Sequence, residues 1–219
     1  MKAIIFDLDQ TLIDRTETVR KFLNEQYLRF VDELTCSKND FITTLMHKQK
    51  NGYADKLIAY QEAMEILSQS IKAEILFADF KERYGLDGVL FPGIKEMLAT
   101  VSKTFTLAII TNGRSKVQNA KIDSEGIREF FKVIKVSEEE GIKKPNEDIY
   151  LRCLADLGLA AEDCVFVGDH PVSDVAAPKH LGMKTVWIRS EHYDEPEAAD
   201  LVIEAASALV EHLDNPLFK

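Results

Sequence analysis

A short apolar run, Ala3-Ile4-Ile5-Phe6, leads directly into Asp7-Leu8-Asp9-Gln10-Thr11. Two carboxylates this close raise each other's pKa or need a cation between them. A carboxylate can also be a nucleophile and take up a phosphoryl group as an aspartyl-phosphate. A second acid two positions on projects toward the same region, where it can protonate a leaving oxygen and then take a proton from water. Three further stretches offer matching chemistry. Asp169 follows Gly168, and Asp174 comes five residues later. With Asp7, Asp169 would supply hard oxygen ligands, which suit Mg²⁺ rather than zinc. Lys144, before Pro145, would neutralise phosphate charge. The Thr111 hydroxyl and the backbone N–H groups at Thr111-Asn112-Gly113 would hold phosphoryl oxygens. Taken singly, each stretch is ordinary: a turn, a cap, a lysine ahead of a proline-started helix. Their order and placement join them.

The placement comes from the elements. After residue 92 the sequence alternates short apolar runs with amphipathic stretches. Strands are expected at 105–110, 132–137, 164–168, 184–188 and 200–203. Helices are expected at 94–103, 114–125, 147–157, 173–181 and 204–213. With the strand ending at Phe6, this rhythm predicts an α/β fold, a Rossmann-like, doubly wound parallel sheet with helices on both faces. In such a sheet ligands bind outside the carboxyl ends of the strands. Asp7, Thr111 and Asp169 each close a predicted strand. Pro178 lies inside the helix expected after Asp174, where it removes a backbone hydrogen bond. That helix should be kinked or start late.

All six prolines lie at or after Pro92. The proline-free stretch before it reads as four helices: from Thr16 or Thr18 to Val31, from Ser37 onward, 54–70, and 72–84 ending at Gly85. The expected division is a core of residues 1–14 and 93–219 with an inserted all-helical domain at 15–92.

Composition excludes several classes. The 219 residues are 46% hydrophobic with a formal net charge of −10. No basic stripe suggests a nucleic-acid partner. No segment reaches the roughly 18 apolar residues of a membrane span, and no leader is evident. Cys36, Cys153 and Cys164 are scattered, as structural thiols in a reducing cytoplasm would be. His170 neighbours Asp169 and is read as facing solvent rather than reacting.

Together the four motifs resemble those of the haloacid dehalogenase-like superfamily. They are Asp7-Leu8-Asp9-Gln10-Thr11, Thr111-Asn112, Lys144-Pro145 and Gly168-Asp169-His170-Pro171-Val172-Ser173-Asp174. The resemblance implies Asp7 as nucleophile and Asp9 as acid/base. It implies Mg²⁺ on Asp7, the backbone carbonyl of Asp9, and Asp169, with Asp174 orienting metal-bound water or Lys144. It makes residues 15–92 the family's mobile cap. Dehalogenases of the superfamily lack the second acid, so Asp9 favours phosphoryl chemistry. The expected function is Mg²⁺-dependent hydrolysis of a small phosphorylated metabolite. A phosphomutase or phosphotransferase using both acids, and a non-catalytic phosphate-ligand binder, remain open at this point.

Overall fold

A computed structural model describes residues 1–49 and 54–219. The chain divides into two compact units, Met1–Asp14 with Gly88–Lys219, and Arg15–Asp87. The division falls between Asp87 and Gly88, earlier than the Pro92 boundary expected from composition. The cause is backbone pairing. Asp14 N–H donates to the Val89 carbonyl at 2.8 Å, and Phe91 N–H donates to the Leu12 carbonyl at 3.0 Å. Residues 88–92 thus return along residues 12–14.

The second unit contains α1 (Arg15–Arg29), α2 (Lys38–Lys48), α3 (Lys56–Ile66) and α4 (Ala73–Arg83). Helix α1 starts ahead of Thr16, so neither threonine caps it, and Thr18 is buried within it. It also stops at Arg29, two residues short of Val31. Ser37 caps α2 by accepting from Asp40 N–H, and Asp55 caps α3 by accepting from Ile58 N–H. Both bonds satisfy amides that lack a partner in the first turn.

The first unit is built on β1 (Ala3–Phe6), α5 (Ile94–Val101), β2 (Thr106–Thr111), α6 (Ser115–Ser124), β3 (Phe131–Val136), α7 (Ser137–Glu140), α8 (Glu147–Leu157), β4 (Cys164–Gly168), α9 (Ala177–His180), β5 (Lys184–Ile188) and β6 (Leu201–Ile203). Its strands form a parallel sheet in the order β3-β2-β1-β4-β5-β6. Strand side chains alternate between faces. Ile4 and Phe6 therefore enter the core beneath α5 and α6, while Ala3 and Ile5 enter the core beneath α8. Burial on both faces explains why the strands read as unbroken apolar runs. Each fully buried Ile or Phe among them contributes about 1.5–3 kcal/mol. The strand order reverses direction between β1 and β4, and this switch point is where open α/β sheets bind ligands.

Two predicted helices take other forms. Residues Pro171–Ala176 make a wide π-type turn that runs into α9. Ala177 N–H donates to Val172, five residues back, and Pro178 has no N–H to give Ser173. The Ser173 carbonyl instead accepts from the Tyr150 hydroxyl at 2.5 Å. The C-terminal segment Ala206–His212 is a 3₁₀ helix. Its buried residues Ala206 and Leu209 are three apart, a spacing that a three-residue turn stacks directly.

Candidate active site

The parallel sheet brings Asp7, Thr111 and Asp169 to one edge. Asp7 continues β1 by one residue, and its N–H donates to the Val167 carbonyl at 2.9 Å. Asp169 follows β4, and its carbonyl accepts from Trp187 Nε1 at 2.7 Å, so β5 fixes that end as well. Gly168 is required there. A Cβ on it would lie 2.6 Å from the Cβ of Asp174 and overlap the carboxylate. The π-type turn seats Asp174 against the strand end, where its Oδ2 accepts from His170 N–H at 3.0 Å. His170 has a structural task. Its Nδ1 caps the turn, accepting from Val172 and Ser173 N–H at 3.1 and 3.2 Å.

Lys144 joins these acids. Its Nζ lies 2.6 Å from Asp7 Oδ1 and 2.7 Å from Asp174 Oδ1, and the residue is 4% exposed. Asn112 aims it. The Asn112 side chain accepts from Lys144 N–H at 2.8 Å and donates to the Lys144 carbonyl at 2.9 Å. The Asn112 amide thus fixes the lysine backbone through both its oxygen and its nitrogen. Lys143, one residue away, is exposed.

Burial dominates the electrostatics. It pushes the Asp7 carboxyl up to about 7, with Lys144 opposing the shift and Asp174 adding to it. Burial, then Asp174 and Asp7, push Asp169 up to about 8. Burial alone would lower the Lys144 ammonium, but Asp174 and Asp7 outweigh it and raise its pKa. The carboxylate oxygens of Asp7, Asp169 and Asp174 lie within 4.8 Å of one another. With all three carboxyls ionised, one ammonium would leave two negative charges uncompensated, and the raised Asp7 and Asp169 values express that cost. A divalent cation bound by hard oxygen ligands fits that donor set.

Asp9 faces different partners. Its carboxylate, 22% exposed, meets Lys121 Nζ at 2.6 Å and Gln118 Nε2 at 3.1 Å. Gln118 also donates to Thr111 Oγ1 at 2.7 Å. Just beyond Asp9 the chain turns tightly. Gln10 holds a left-handed φ of 63°, and Leu12 and Ile13 N–H both donate to the Leu8 carbonyl at 2.9 Å. A non-glycine residue in that region costs about 1–2 kcal/mol, a strain of the kind that collects at working sites.

A model of the haloacid dehalogenase-like hydrolases matches residues 4–188. The chain belongs to this family. Among curated relatives of this haloacid dehalogenase-like chain, a glyceraldehyde 3-phosphate phosphatase of Pyrococcus furiosus is 29% identical over 98% of the chain and 93% of the relative. An N-acylneuraminate-9-phosphatase of Mus musculus is 26% identical over 86% of the chain and 82% of the relative. The fold is that of the HAD-hydrolase YfnB from Bacillus subtilis, solved bound to magnesium. It has a TM-score of 0.79, 18% identity, and coverage of 97% of this chain and 98% of that one.

The burial contrast between the adjacent lysines gives a first test. Lys144→Met should lower kcat by about 10²–10³, the scale of losing one preorganised donor at developing charge. It should also lower the melting temperature, because removing one partner of a buried ion pair costs about 3–5 kcal/mol. Lys143→Ala should change neither. Steady-state kinetics and thermal melts check both, and equal losses at the two positions would refute the assignment.

Proposed function

We propose that this phosphoric monoester hydrolase is a Mg²⁺-dependent phosphatase of a small phosphorylated metabolite, working through an aspartyl-phosphate on Asp7. The observation behind it is that the two acids of Asp7-Leu8-Asp9 have separate environments. Asp7 is buried against Lys144 at the head of the central strand, and Asp9 is partly exposed and held by Lys121 and Gln118. Paired acids in unlike surroundings are how one site separates a nucleophile from a proton carrier.

In this mechanism an Asp7 oxygen attacks phosphorus, and the bond from phosphorus to the ester oxygen breaks. Asp9 gives that oxygen its proton. Water then attacks the phosphoryl group, Asp9 takes up the water's proton, and the bond from phosphorus to Asp7 breaks to free inorganic phosphate. Lys144 and the Thr111 hydroxyl offset and hold the phosphoryl oxygens. Asp7, Asp169 and the Asp9 carbonyl would hold Mg²⁺, with Asp174 keeping Lys144 in line. When bound, the ion supplies charge neutralisation at the carboxylates and the phosphoryl group.

The helical unit Arg15–Asp87 is assigned as the cap that selects the substrate's alcohol portion. The cytoplasm is the assigned location. Cys153 and Cys164 suit it as inert packing thiols, which burial pushes up to about 12 and about 11. Among the described residues no helix is long and apolar enough to cross a membrane.

The test is release of phosphate from p-nitrophenyl phosphate in ¹⁸O-water. Activity with Mg²⁺, its loss on adding chelator, and one ¹⁸O in the released phosphate are the expected results. Chelator-resistant activity would remove the metal from the reading, and p-nitrophenolate release without matching inorganic phosphate would replace hydrolysis by transfer.

A further inference from the structure

Helix α6 presents two polar side chains inward on a face it shares with Val117 and Ile122. Gln118 is 2% exposed and Lys121 is 1% exposed. Burying a lysine and an amide is costly unless both are bonded, and here both are. Lys121 Nζ donates to Asp9 Oδ1 at 2.6 Å and to Gln118 Oε1 at 3.2 Å. The Gln118 amide donates to Asp9 Oδ2 at 3.1 Å and to Thr111 Oγ1 at 2.7 Å. The chemistry fixes the amide's orientation. An ammonium only donates, so the amide oxygen must face Lys121 and the nitrogen faces Asp9.

Two consequences follow from this wiring. Both oxygens of Asp9 are gripped from one helix, which fixes the plane of its carboxylate. The Thr111 hydroxyl accepts from Gln118, so its own hydrogen is left to donate. Its acceptor within the chain is the Asn112 carbonyl at 3.5 Å, a distance too long for a firm bond. The hydroxyl is thereby set to give its hydrogen to a phosphoryl oxygen.

We infer that Gln118 and Lys121 are positioning residues of the reaction, orienting the Asp9 carboxyl and the Thr111 hydroxyl together through one hydrogen-bonded bridge. The inference rests on Asp9 being the acid/base of the proposed function. Neither residue touches the substrate; each acts through a side chain that does. Of the two reactive side chains Lys121 bonds directly to Asp9, while Gln118 bonds directly to both Asp9 and Thr111. The two therefore leave different signatures.

The experiment compares p-nitrophenyl phosphate with phenyl phosphate, whose leaving group needs a proton far more. Four Mg²⁺-loaded variants are measured: Lys121→Met, Gln118→Leu, Asp9→Asn, and Lys121→Met combined with Asp9→Asn. Lys121→Met should lower kcat/KM for phenyl phosphate about 10-fold more than for p-nitrophenyl phosphate, part of the 10²–10⁴ that acid–base catalysis provides. In the Asp9→Asn background the same change should cost less than about 2-fold, since residues acting through one group are not additive. Gln118→Leu should show the same leaving-group selectivity and also weaken inhibition by inorganic phosphate several-fold, which Lys121→Met should not. Gln118→Leu keeps the lysine–carboxylate pair, so it decides the question should Lys121→Met fail to fold. Equal losses on both esters, or full additivity with Asp9→Asn, would overturn the positioning role and leave the catalytic reading intact. An Asp9→Asn variant without leaving-group selectivity would overturn the reading of Asp9 itself, and this inference with it.

Discussion

Asp7→Asn should keep its fold and lose turnover by about 10⁴-fold or more. The side-chain amide keeps the shape of the carboxyl but is a poor nucleophile, and a nucleophile's removal takes away the whole covalent route. Stability should not fall with activity. Burial already pushes the Asp7 carboxyl up to about 7, so the fold gains little from its charge. Lys144 keeps a second counter-charge, Asp174 Oδ1, at 2.7 Å. Breaking a buried pair is strongly destabilising when it leaves an uncompensated buried charge, and Asp174 keeps Lys144 out of that case. The expected result is an unchanged or higher melting temperature together with no phosphate release and no labelled protein after an acid quench. Turnover within ten-fold of the parent chain would place the nucleophile elsewhere. A collapse in melting temperature would mean that Asp7 holds the fold as well as the substrate.

The sheet could be read from the sequence because its strands are buried on both sides. Runs such as Ile4-Ile5-Phe6 and Val165-Phe166-Val167 have no polar interruption, and Asp7 and Asp169 follow within two residues of their ends. The strand-end aspartates stand out for the same reason: a carboxylate that closes an apolar run needs an explanation. Gln118 and Lys121 carry no such mark. On a helix of mixed composition a glutamine and a lysine read as solvated, and only the closure of α6 over the turn after β1 makes their face internal. The one available signal was their spacing. Positions 117, 118, 121 and 122 form a single helical face, and its polar half points wherever Asp9 lies. Tyr150 was hidden differently, because the carbonyl it serves is freed only by the π-type turn ahead of Pro178.

The Asn112 side chain is a case where residue type suggested one role and geometry supplies another. Beside Thr111 it reads as a phosphate contact. In the structure both ends of its amide are bonded to the backbone of Lys144. In the proposed mechanism the stretch after β2 acts on the phosphate through Thr111, which Gln118 on α6 sets, and through Lys144, which Asn112 sets.

Asp9→Asn should divide the reaction in two. The substitution preserves the side chain's shape and removes its ability to carry a proton. Loss of general acid–base catalysis costs about 10²–10⁴-fold, and phosphate esters of ordinary alcohols should show a loss of that order, because an alkoxide leaves poorly without a proton. p-Nitrophenolate needs little protonation, so attack by Asp7 on p-nitrophenyl phosphate should proceed with a smaller loss. The second half-reaction still requires a base, since the water that cleaves the aspartyl-phosphate must give up a proton. The variant should therefore accumulate the covalent intermediate. A stopped-flow trace should show a burst approaching one equivalent of p-nitrophenolate per site, followed by slow turnover. Mass spectrometry after an acid quench should find the phosphoryl group on the peptide that contains Asp7. The asparagine oxygen can still accept from Lys121, so the bridge from α6 keeps that anchor, while the asparagine NH₂ replaces the oxygen that accepted from Gln118. Full activity in this variant, or a phosphoryl group on any other residue, would reverse the division of labour between the two acids.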